Sequence, residues 1–207
     1  MVNGIHHRHP AITANMASTL DIVSNGRLIL GLGAGWNEEE SSAYGLRLGP
    51  LGERFDRFDE ALIVIRRLLA DEWTDFDGEH FTITHARNEP KGPQQPLPIC
   101  IGGTGPKRTL RAVAHHAQQW DAGGWDRPMW EQRSEVLAGH CAAIGRDPAE
   151  IRRSVHTYVD PDTDLARTRD EVADLADAGV DVAIIALRPP HHPAILERAV
   201  DAVLPVI

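Results

Sequence analysis

The sequence predicts an α/β fold, a parallel sheet with its helices outside. Three features predict it. Short apolar stretches alternate with amphipathic ones about five times, the pattern of repeated strand–helix units. The strands expected at 27–33, 98–102 and 181–187 are uncharged apart from their first residue, as strands buried on both faces are. Two of these strands run into glycines, Gly31, Gly33 and Gly35 in one case and Gly102, Gly103 and Gly105 in the other, and then into helices. Past a strand's carboxyl end, glycine lets the chain turn sharply and lets another molecule approach the backbone. Ligands of α/β folds sit at that end of the sheet. Two such exits point to a cofactor lying across the carboxyl ends of neighbouring strands.

Length and composition narrow the class. A chain of 207 residues suffices for one well-cored domain, taken here as 1–207. Its net charge of −9 argues against a nucleic-acid partner. No stretch has the length of a membrane span, and the start lacks the apolar core of a signal peptide. Cys100 and Cys141 form no C-x-x-C pair, and Cys100 sits inside an apolar strand, so it reads as a small buried side chain. A cytoplasmic protein is the expectation, with no membrane partner.

Residues 1–4 are too few to be more than the end of a strand. Pro10, after His9, opens a helix whose Ile12, Met16, Leu20 and Val23 share one face, closed by Gly26. Glu38, Glu39 and Glu40 fall in the first turn of a short helix, where carboxylates complement the dipole. The clearest helix runs from Gly52, with Phe55, Phe58, Leu62, Ile65 and Leu69 recurring at steps of three and four. Residues 75–83 read as a hairpin about the Asp77–Gly78 turn, and the proline-rich 86–97 as a loop. Together, about 74–97 form an insertion before the strand at 98–102.

A helix from Pro106 turns Leu110, Val113, Ala114 and Ala117 inward. A short strand follows near 119–122, and Asp126 caps a helix carrying Trp130, Val136, Leu137 and Cys141. Then come a strand at 154–159, a helix at 165–178 ended by Gly179, and the strand at 181–187. Pro193 opens a last helix with Leu196, Val200 and Val203 inward.

Several of these stretches resemble the luciferase-like monooxygenases. The likeness is carried by His9-Pro10-Ala11, Ala17 to Asp21, Asn25 to Trp36, Ala43-Tyr44-Gly45, Leu51 to Arg57, Glu60-Ala61-Leu62, Phe76-Asp77-Gly78 and Ile101 to Arg108. It runs from about residue 8 to the C-terminus. It is strongest to the branch that uses the deazaflavin coenzyme F-420, and the FMN branch shares much of the pattern. The resemblance implies a TIM (β/α)8 barrel whose third strand ends near Gly4, incomplete here in lacking strands 1–2 and most of strand 3. It implies an oxidoreductase or monooxygenase acting on a small organic substrate, with a homodimer possible.

By the same resemblance, Gly102, Gly103, Thr104 and Gly105 hold the cofactor's phosphate or side-chain end, as unpaired N–H groups before a helix suit an anion. A plain glycine turn is the alternative. Gly33, Ala34 and Gly35 are small enough for a planar ring to lie near the backbone, and Asn3 remains from the third strand. Trp36 either walls the ring or substrate or is a lid aromatic. Glu39 is a pocket contact or a solvated helix-start carboxylate, and His9 a substrate contact or a helix cap. Related enzymes carry Asp-Gly where Gln118 and Gln119 stand.

Neighbouring histidines such as His6, His7 and His9 rarely converge on one ion, so no metal is assigned. His156, on a strand, reads as a satisfied core histidine. No Ser-His-Asp set appears, and no catalytic acid or base stands out. The rival expectation is a non-catalytic barrel fragment that needs a partner or the missing N-terminal strands.

Overall fold

The computed structural model describes residues 2–159, 165–189 and 191–206. Met1, assigned above to the first strand stub, lies outside them. Two compact units emerge, one running to Gly102 and including His115–Gln118, the other comprising Gly103–Ala114 and the chain from Gln119 onward.

In chain order the first unit contains β1 (Asn3–Gly4), α1 (Pro10–Val23), β2 (Leu30–Gly33), α2 (Glu38–Ala43), α3 (Leu51–Ala70), β3 (Thr74–Asp77), β4 (Thr82–Ala86) and β5 (Ile99–Gly102). Strand β2 pairs in parallel with β1 on one side, Asn3 opposite Leu32, and with β5 on the other, Leu32 opposite Ile101. Because side chains alternate along a strand, Leu32, Ile99 and Ile101 point to one face and are buried. Gly31, Gly33, Cys100 and Gly102 then share the other face, which carries almost no side-chain atoms.

Helix α3 buries the stripe its sequence announces: Phe58, Leu62, Ile65 and Leu69 are buried, and Phe55 half-buried. Each such side chain contributes about 1.5–3 kcal/mol on leaving water. On helix α1 the apolar face is the outer one. Ile12, Met16, Leu20 and Val23 are exposed, and the buried face is Thr13, Ala14, Ala17, Ser18 and Asp21. Polar bonding to the 86–97 loop decides this. Asn88 Nδ2 donates to Ser18 Oγ at 2.8 Å, and Asp21 accepts from the Gln94 backbone N–H at 3.0 Å and from Gln94 Nε2 at 2.7 Å. Burying Ser18 and Asp21 without those partners would cost more than exposing the apolar stripe.

The hairpin β3–β4 forms as expected and is antiparallel. Its turn is fastened to α3, since the Glu60 carboxylate accepts backbone N–H groups from Glu79, His80 and Phe81.

The second unit contains α4 (Thr109–His116, its last two residues counted with the first unit), β6 (Gln119–Gly124), α5 (Arg127–Ala143), β7 (Arg152–Val159), α6 (Leu165–Asp177), β8 (Val182–Leu187) and α7 (Pro193–Val203). Strands β6, β7 and β8 pair in parallel, with Asp121 opposite Ser154 and His156 opposite Ile184. Its core includes Trp120 stacked on Trp130 at 5.2 Å between ring centres. Asp126 caps α5 by accepting from the Met129 N–H, as the sequence requires. Arg127 ties α5 to α6 through Asp174 and Asp177, and pairs with Glu131 on its own helix.

Two expectations fail here. Helix α4 begins at Thr109 and not at Pro106, because the Leu110 N–H bonds Gly105 O across a turn wider than a helix. On α7 the buried positions are Ile195, Ala199 and Val203, leaving Leu196 and Val200 exposed. Among the described residues, no helix is long and apolar enough to cross a membrane.

Candidate active site

The glycine exits of β2 and β5 lie on neighbouring strands that run the same way, so both open at the same end of the first unit's sheet. The register that sets Leu32 opposite Ile101 brings Gly33 level with Gly102. A Cβ added at Gly102 would first meet Val2, at 3.0 Å, and one at Gly33 only Val2, at 3.3 Å. The face is therefore a flat strip of backbone and Cys100 with one isopropyl group beside it. Such a strip fits a planar ring. Asn3 stands on β1, and its Oδ1 accepts from Arg8 at 3.3 Å.

After β2 the chain turns through Ala34 and Gly35. Gly35 has φ +90°, a conformation that L side chains rarely adopt. A Cβ there would also lie 2.6 Å from His6 Nδ1. His6 is thus seated against the turn, a contact the sequence did not indicate. Its Nε2 lies 3.1 Å from Ser41 Oγ, and Ser41 Oγ donates to Asn37 O at 2.7 Å. Since the hydroxyl's hydrogen is committed to Asn37, Nε2 must donate and Nδ1 is the bare acceptor. Nδ1 is buried with no partner. Burial, with a smaller contribution from the neighbouring His7, holds the His6 pKa below its ordinary value. Arg54 completes the turn by donating to Gly35 O at 3.0 Å.

Trp36 is 81% exposed and Glu39 is exposed, so neither walls an enclosed cavity. Asn37, next to Trp36, caps α2 by accepting from the Glu40 N–H. His9 caps α1, its Nδ1 accepting from the Ala11 N–H at 3.2 Å, and its ring meets Phe81 edge-on.

In the second unit, Gly103, Thr104 and Gly105 lead into α4. The Gly103 N–H is used by Asp121 O. Among the described residues, the N–H groups of Thr104 and Gly105 have no acceptor. That donor set fits an anionic group. Gln119 starts β6, buried, and donates to Ser154 Oγ at 3.0 Å. Gln118 belongs to the first unit, where Oε1 accepts from the Ile99 N–H and from Arg66.

Sequence reasoning undervalued one more group. His156 Nε2 lies 3.0 Å from Asp121 Oδ2, and Asp121 is 4% exposed. His156 opens onto a cavity of about 370 Å³, also lined by Gly124, Trp125, Tyr158, Arg167 and Glu171. The available signal was the Trp120–Gly124 strand exit, which puts a carboxylate at the carboxyl end of β6.

Comparison with known proteins agrees with this architecture. Residues 1–202 match the luciferase-like monooxygenases. The F-420-dependent glucose-6-phosphate dehydrogenase of Microbacterium testaceum is 28% identical over 191 residues, 92% of this chain and 48% of that protein. The F-420-dependent hydroxymycolic acid dehydrogenase of Mycobacterium tuberculosis is 32% identical over 168 residues, 80% of this chain and 46% of that one. This chain therefore spans about half the length of these curated relatives. The solved structure of an F-420-dependent secondary alcohol dehydrogenase, in complex with an F-420–acetone adduct, superposes with a TM-score of 0.84 at 18% identity. It covers 100% of this chain and 77% of the other. The fold is accordingly a TIM barrel of the luciferase-like type, here incomplete.

Proposed function

The chain belongs to the luciferase-like monooxygenase family, and from that premise we propose that it is an oxidoreductase using the deazaflavin coenzyme F-420, with FMN as the alternative cofactor, on a small organic substrate. The observation that carries the reading is the strip at the ends of β2 and β5, nearly free of side chains, where Val2 is the nearest neighbour of both Gly33 and Gly102. Similarity to two F-420-dependent dehydrogenases favours the deazaflavin.

In this reading Gly33, Ala34, Gly35 and Gly102 receive the ring, whereas Asn3, paired with Leu32, stands on the other face of the sheet and not against this strip. In the second unit, Thr104 and Gly105 offer their backbone N–H groups to an anionic group, the Gly103 N–H being taken by Asp121 O. His9, Trp36 and Glu39, exposed at the starts of α1 and α2, contact the substrate. The bound cofactor supplies hydride chemistry in the deazaflavin case, and hydride or oxygen chemistry in the flavin case. The protein's share is to hold ring and substrate and to exclude water. Titration of the purified chain with F-420 and with FMN, followed by cofactor fluorescence, tests this. Saturable binding of one of them is expected; binding of neither removes the cofactor assignment.

A second reading has its own observation. The stripe Ile12, Met16, Leu20 and Val23 on α1 is 43–77% exposed, and β1 is a two-residue edge strand. An exposed apolar helix face and a short edge strand are what a non-catalytic barrel fragment that needs a partner presents. Size-exclusion chromatography tests this reading: a compact, soluble monomer opposes it.

A further inference from the structure

Three carbonyl groups of the turn at 103–107 are held from within the second unit. Trp120 Nε1 on β6 donates to Gly103 O at 2.8 Å, and the Leu110 N–H donates to Gly105 O at 3.0 Å. His140, in the last turn of α5, has its Nε2 2.8 Å from Pro106 O. A carbonyl oxygen only accepts, so His140 Nε2 carries the ring hydrogen and donates. The Gly103 N–H is tied as well, to Asp121 O at 2.9 Å.

These bonds set the direction of the groups left over. In a trans peptide the C=O of one residue and the N–H of the next point opposite ways. The 103–104 and 106–107 peptides are both trans. The indole that holds Gly103 O therefore turns the Thr104 N–H away from β6, and the imidazole that holds Pro106 O turns the Lys107 N–H away from α5. Among the described residues neither N–H has an acceptor, nor has that of Gly105 between them. The chain also passes closely over the start of α4, since a Cβ at Gly105 would lie 2.7 Å from Thr109 Oγ1. The two side-chain donors differ in setting. Trp120 is wholly buried and stacked on Trp130, so the core needs it whatever the turn does. His140 is half-buried, and among the described residues its one hydrogen bond goes to the turn.

We propose that His140 is a positioning residue for anion binding at this turn: its hydrogen bond to Pro106 O fixes the 106–107 peptide, so that the Lys107 N–H serves as a third donor beside those of Thr104 and Gly105. The proposal rests on the reading of the turn as an anion site. It adds to that reading a side chain from another element and a further backbone donor. Every group it names lies in the second unit.

The experiment titrates inorganic phosphate into the full chain, with chloride at equal ionic strength as the control, and follows backbone amide signals by ¹H–¹⁵N NMR. In the wild type the Thr104, Gly105 and Lys107 signals should shift saturably with phosphate, share one midpoint, and ignore chloride. His140→Leu should weaken phosphate binding roughly 3- to 10-fold, the worth of one hydrogen bond, and silence the Lys107 signal. His140→Gln puts an amide nitrogen where Nε2 stood and should restore binding to within about twofold of the wild type, whereas the shorter His140→Asn should not. A merely structural role would lower the urea midpoint of the variants and leave the phosphate affinity of the folded protein unchanged. If the wild type shows no phosphate-specific response, the anion reading falls and the proposal with it. If the wild type responds but His140→Leu binds phosphate equally well, or Lys107 is silent in the wild type, the anion reading stands and the proposal falls. A loss in His140→Leu that His140→Gln does not restore overturns it too.

Discussion

The end of the β2–β5 strip and the cavity beside β6 and β7 are built on opposite plans. The first is backbone: Gly33, Gly35 and Gly102 offer no side chain, and whatever binds must fit what has been left out. The second is side chains: Asp121 and His156 hold each other, and whatever binds must match a hydrogen-bonding group. A site made of omissions is intolerant of any added atom. A site made of groups tolerates change in size but not change in polarity. The comparison can be broken by measuring which kind of substitution each region resists.

The largest effect belongs to Gly35→Ala. The added methyl is penalised twice, by φ +90° and by a Cβ 2.6 Å from His6 Nδ1 and 2.9 Å from Leu48 Cδ1. Strain of about 1–3 kcal/mol and overpacking of similar size sum to a loss of roughly 3 kcal/mol in urea unfolding. By contrast His156→Asn, at the edge of a cavity, should move the same midpoint by less than about 1 kcal/mol. Equal losses for the two would erase the distinction between the plans.

This contrast also explains what the sequence could show. A backbone-built site is written contiguously: Gly31, Gly33 and Gly35 fall within five residues, and the strand before them is uncharged after Arg27. The strand–helix alternation is equally local, and so the order of elements was readable, as were the N-cap role of Asp126 and the stripe of α3. Asp121 and His156 are 35 residues apart in the chain and meet only because β6 and β7 pair in parallel. No spacing rule announces that. The stripe of α1 was readable as a stripe but not as inward or outward. Its orientation is set by Ser18 and Asp21 finding partners in Asn88 and Gln94, about 70 residues away.

A smaller effect sharpens the backbone plan. Gly102→Ala would place a Cβ 3.0 Å from the side chain of Val2, its nearest neighbour. Its cost should be roughly 1 kcal/mol, and Val2→Ala should restore most of it in a double-mutant cycle. If removing Val2 brings no relief, Gly102 is needed for a reason other than room beside that side chain.

The subtlest test concerns His6, a titratable group seated against the backbone-built region. His6 has its pKa lowered in the folded protein, first by burial and then by His7, with Arg54 and Arg57 acting the same way and Glu40 opposing. Its ring is already committed, Nε2–H to Ser41 and Nδ1 to the space beside Gly35, where protonation would leave an N–H without an acceptor. In the unfolded chain the imidazole titrates near 6.5. At a pH between the folded and unfolded values the unfolded chain therefore holds more protons, and stability must rise with pH. The contribution is complete above about 6.5 and is lost as the pH falls through the folded pKa. Unfolding midpoints taken from pH 8 down to 5 should decline for the wild type, and His6→Asn should flatten part of that decline, because asparagine does not titrate. A parallel decline in both proteins would mean that His6 is not protonation-sensitive in the fold. The turn at Gly35 would then depend on the shape of the ring alone.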